Sequence, residues 1–85
     1  MSSTAPAPIT DAQVLRAIAF RRVIFRQFFL TNREDIAVIR TCTALRSAFR
    51  LSAEDCLAYW QLVARHGTGE QQREAAQICE IYRSF

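Results

Sequence analysis

Eighty-five residues, 51% hydrophobic and 22% charged, set the scale of one globular domain and exclude a disordered or low-complexity chain. The formal charge of +3 is unevenly spread, with eight Arg against three acids in residues 1–50 and three Arg against five acids in residues 51–85. Every basic residue is Arg, as GC-rich bacterial coding produces, and guanidinium groups pair bidentately with carboxylates or phosphates and stack on aromatic rings.

The chain opens with MSSTAPAPI, small residues with two prolines, which reads as a flexible leader over 1–9. It has neither a basic n-region nor an apolar h-region, so no signal peptide is expected. Cys42, Cys56 and Cys79 are odd in number and widely spaced, each inside a helical pattern, which fits buried thiols in a reducing, cytoplasmic compartment.

The predicted elements share one start signal. Four times a Ser or Thr is followed three residues later by Gln, Glu or Asp: Thr10/Gln13, Thr31/Glu34, Ser52/Asp55 and Thr68/Gln71. Each pair has the form of a capping box, in which a hydroxyl and the side chain three residues on satisfy each other's backbone amides. Four helices follow, over 11–30, 32–50, 53–66 and 69–84, and Gly67 is expected to close the third in the left-handed conformation. No strand alternation competes. The fold class is all-α: a compact four-helix domain with short connections.

The first helix is the unusual one. At about 100° per residue, Val14, Ile18, Phe25 and Phe29 form one stripe, with Ala17, Ile24 and Phe28 on a stripe beside it. Phe20, Val23 and Leu30 lie on the far side, so the helix is apolar nearly all round and needs cover from several directions. The other three are ordinarily amphipathic. The second turns inward Val38, Cys42, Leu45 and Phe49 with Ile39 alongside, the third Cys56, Leu57, Trp60, Val63 and Ala64, and the fourth Ala75, Ile78, Ile81, Tyr82 and Phe85. The economical arrangement puts the first helix in the middle. Three short helices seldom enclose a twenty-residue one, so its Phe20/Val23/Leu30 side is expected to meet a protein partner or a second copy.

Arg21, Arg22 and Arg26 sit among Phe20, Phe25, Phe28 and Phe29. Arg21 falls within the apolar arc, where a guanidinium needs a carboxylate, and Glu74 or Glu80 of the fourth helix can supply one. Arg beside aromatic anchors is also the composition of interface hot spots. Phe20, Arg21, Arg22, Val23, Arg26, Phe28, Phe29 and Leu30 are therefore the candidate partner-binding residues.

A second constellation is the Arg face of the second helix: Arg33, Arg40, Arg46 and Arg50, with Thr43 and Ser47. Its spacing can meet successive phosphates of a nucleic acid. A helix-turn-helix made with the third helix is awkward, because that helix opens with Glu54 and Asp55 and would repel phosphates.

Catalysis is not expected. There is no Gly-rich phosphate loop, no nucleophile–base pair and no Glu-x-x-His pattern. The three Cys and His66 lack the C-x₂₋₄-C spacing of a zinc site, so no metal and no cofactor are expected. Apolar runs are too short to span a membrane. The sequence reads as a non-catalytic adaptor, inhibitor or regulator acting through the first helix as a homodimer or within a complex, with a nucleic-acid-binding regulator as the alternative.

Overall fold

The computed structural model describes residues 9–85 and contains four helices: α1 (Asp11–Phe29), α2 (Glu34–Phe49), α3 (Ala53–His66) and α4 (Glu70–Arg83). The prolyl leader lies almost wholly outside the described residues. No strand occurs among those described. None of the helices is long and apolar enough to cross a membrane.

The start signals worked unequally. Thr10 and Gln13 form a complete box: the Thr10 hydroxyl accepts from the Gln13 amide at 3.1 Å, and the Gln13 side chain accepts from the Thr10 amide at 2.8 Å. Ser52 accepts from Asp55 N at 3.1 Å, half of its expected box. Thr31 does not cap α2. Arg33 holds that position without a side-chain bond, while Asn32 donates back to the Phe28 carbonyl and Asp35 accepts from Ile36 N. A turn that must first close α1 consumes the residues expected to open α2. At α4 the N-cap is Gly69, and the Thr68/Gln71 pair keeps only the bond from Thr68 N to the Gln71 side chain.

The left-handed residues are also not where the sequence suggests. Gly67 is extended (φ −73°, ψ 163°), and it must be small for another reason: a Cβ there would lie 3.0 Å from both Gln71 Cβ and the Val63 carbonyl oxygen. Gly69 takes the positive φ of 57°, and Arg50 takes φ 55° at the end of α2. Arg50 and Leu51 donate to the Arg46 carbonyl in a Schellman-type closure that normally favours glycine.

The core forms around Trp60, which is fully buried with Leu45, Ile78, Val14, Val63, Cys42 and Cys56. Ala17, Ile18, Val38, Ala75, Cys79 and Tyr82 complete it. Helix α1 packs against all three of the others, most extensively against α2, while α3 and α4 form the tightest pair. The expected inward positions hold with three exceptions. Phe29, Ile39 and Phe85 are exposed, and Ala37 and Thr41 replace Ile39 on the inner face of α2. Cys79, not assigned to the inner stripe of α4, is buried.

Candidate interaction surface on the first helix

The N-terminal half of α1 is held from inside by Val14, Ala17 and Ile18. One turn further, the next inward position is Arg21, only 6% exposed. Its Nη1 donates to Glu74 Oε1 at 2.9 Å and its Nη2 to Gln77 Oε1 at 2.8 Å, both on α4. Its guanidinium carbon stands 4.7 Å from the centre of the Phe25 ring. Arg22 closes the same carboxylate from outside, with Nε 3.0 Å from Oε1 and 3.1 Å from Oε2. A single glutamate therefore pins two consecutive arginines. Glu80, the other candidate partner, pairs instead with Arg83.

The electrostatics follow from that geometry. Hydrogen bonding from Arg22 and the charge of Arg21, working against burial, hold the Glu74 carboxyl below the ordinary glutamate range. Burial lowers the Arg21 pKa and Glu74 opposes it, whereas the hydrogen bond and charge of Glu74 raise that of Arg22. Arg21 and Arg22 are thus drawn into an internal clamp between α1 and α4. Of the predicted partner-binding residues these two are largely committed within the chain, although Arg22 keeps half of its side chain open to solvent.

The remainder lie on the outside. Leu30 is 81% exposed, Val23 58%, Phe29 47% and Phe20 38%, and Leu15, which the sequence reading did not single out, is 59% exposed. Phe28 is half-buried and Arg26 exposed. Phe29 rests edge-on against Phe25. Phe20 leans on Phe49, Phe49 on Tyr59 and Tyr59 on Trp60, each pair of centres 5.6–5.7 Å apart. That aromatic succession ties Phe20 to the core beside a small cleft lined by Gln13, Arg16, Ala17, Phe49 and Tyr59. Phe20, Val23, Gln27 and Leu30 recur at intervals of three and four, so they stand in one row along the outer surface of α1. Phe49 of α2 covers one side of Phe20, while Val23 and Leu30 are more than half open among the described residues.

The Arg face of α2 is less coherent. Arg33 pairs with Asp35 at 3.4 Å and Arg46 Nε donates to the Leu51 carbonyl at 3.3 Å. Arg40 and Arg50 are exposed, with Ile36 and Ile39, both also exposed, on the same outer side. His66 Nε2 lies 2.7 Å from Asp11 Oδ1, tying the end of α3 to the start of α1. All three thiols are buried, and burial pushes Cys42 up to about 12. Among the described residues, no group of three or more His, Cys, Asp or Glu side chains is placed to hold a metal ion. No family model matches the chain, and neither a curated protein nor a solved structure does.

Proposed function

We propose that the protein is a non-catalytic helical adaptor or regulator that works by protein–protein contact through the outer face of α1, and that a second copy of the chain covers this face in solution. The observation that carries this is the row Phe20, Val23 and Leu30: three large apolar side chains left open along one side of α1 and its C-cap. Isolated exposed apolar residues are ordinary, whereas a contiguous strip along a 19-residue helix marks a contact surface. Arg26 and the open half of Arg22 border the strip, the mixture of guanidinium and aromatic groups favoured at contact sites.

The alternative, a nucleic-acid-binding regulator using Arg33, Arg40, Arg46 and Arg50, draws less support. Two of those four guanidinium groups already have partners within the chain. The two readings separate in salt: phosphate binding weakens steeply as ionic strength rises, and apolar association does not.

Solvent accessibility of methyl groups tests the proposal. With a soluble paramagnetic probe at high protein concentration, the Val23 and Leu30 methyls are expected to be shielded while those of Ile36 and Ile39 on α2 relax freely. Equal relaxation at all four positions would contradict it.

A further inference from the structure

We propose that the cleft where α1, α2 and α3 converge binds a small aromatic carboxylate, with Arg16 holding the carboxylate and the rings of Phe20, Phe49 and Tyr59 enclosing the arene. This site goes beyond the contact role proposed above and does not depend on it, although Phe20 borders both surfaces. The cleft holds about 360 Å³, a size that takes a one- or two-ring acid. On α1 its wall is Gln13, Arg16, Ala17 and Phe20, which recur at i, i+3, i+4 and i+7 and so share one side of the helix. Ala17 is small and buried, which leaves room between its longer neighbours. Phe49 ends α2 and Tyr59 lies on α3, and their rings meet edge to face with centres 5.7 Å apart.

The polar edge of this cleft is made of donors, and that decides the charge of the occupant. Gln13 Oε1 already accepts from the Thr10 amide at 2.8 Å, so the group Gln13 has left to offer is its Nε2 amino group. Arg16 brings a guanidinium, which donates and never accepts, and it has no ion-pair partner among the described residues. Its charge reaches the Tyr59 hydroxyl: burial raises the Tyr59 pKa and Arg16 opposes the rise. No carboxylate lines the cleft. Arg21 and Arg22, further along the same helix, close on Glu74, whereas Arg16 is left to take an acceptor from outside. A carboxylate fits a guanidinium bidentately, and such bonds strengthen beside an apolar wall. A cation would be repelled by Arg16, and a neutral arene would leave the donors unanswered.

Titration of the isotope-labelled full chain with 2-naphthoate, compared with the uncharged 2-naphthamide, tests this by NMR. Naphthoate is expected to shift the resonances of Gln13, Arg16, Phe20, Phe49 and Tyr59 saturably. It is expected to bind about tenfold more tightly than the amide, the scale of a hydrogen bond to a charged group. Arg16→Gln is expected to bring naphthoate down to the affinity of the amide and to leave the amide unchanged. Arg16 is exposed, so this replacement spares the core, and unchanged resonances away from the cleft check that the fold is intact. Phe20→Ala is expected to weaken both ligands alike. The absence of saturable shifts at the five residues would overturn the proposal. So would equal affinity for the two ligands, or naphthoate binding that Arg16→Gln leaves unaltered.

Discussion

Glu74 matters more than its position suggests, because removing it leaves the buried Arg21 guanidinium with only Gln77 as partner. Glu74→Ala is expected to destabilise the fold by about 3 kcal/mol, the lower end for stranding one member of a buried pair, as measured by chemical denaturation. The sign of the pH effect follows from the depressed Glu74 pKa. A group held lower in the folded state than its unfolded value of about 4.3 contributes fully above that value. The contribution is lost as pH falls through the folded value. Stability should therefore decline in acid below about pH 4, and Glu74→Gln should flatten that part of the profile. The thiols make a second prediction at this scale. With burial raising all three and taking Cys42 to about 12, almost no thiolate forms at neutral pH. Ellman's reagent is expected to titrate no cysteine in the native protein and three after unfolding; rapid native labelling of Cys42 would refute this.

Helix ends decide much at the scale of the element. Thr10→Ala removes a working cap and is expected to cost about 1 kcal/mol, whereas Thr31→Ala, which caps nothing, should change stability by less than about 0.5 kcal/mol. Arg50→Gly replaces a side chain held at φ 55° and is expected to stabilise by about 1 kcal/mol, measured as a raised denaturation midpoint. These sites also show what could be read from the chain. A hydroxyl three residues before Gln or Asp is a local signal, and Thr10 and Ser52 answer to it because their bonds span one turn. Thr31 fails because its neighbour Asn32 is drawn back to the Phe28 carbonyl by the end of the preceding helix, which a three-residue motif does not register. Gly67 misses its expected left-handed role for a similar reason: close packing against Gln71 and Val63 demands smallness there, and the positive φ falls at Gly69 instead.

For the whole molecule, periodicity was enough to place four helices and most of their inner faces, since burial follows a repeat of 3.6 residues. It also marked the far side of α1, where Phe20, Val23 and Leu30 are indeed open. It was silent on pairing. That Arg21 and Arg22 converge on Glu74 rather than on a surface depends on how α4 lies across α1, a contact between residues more than fifty positions apart. The cleft beside Phe20 was likewise invisible, because Phe49 and Tyr59 come from different helices and meet only in the fold. Among the described residues the Phe20, Val23 and Leu30 row stays open after folding, and the proposed role has another copy cover it.

Static light scattering over a hundredfold range of concentration tests that claim most directly. The mass is expected to rise to that of two chains, to change little with salt, and to stay at one chain throughout for Val23→Arg. A single chain at every concentration for the unmodified protein, or a two-chain mass that Val23→Arg leaves intact, would contradict it.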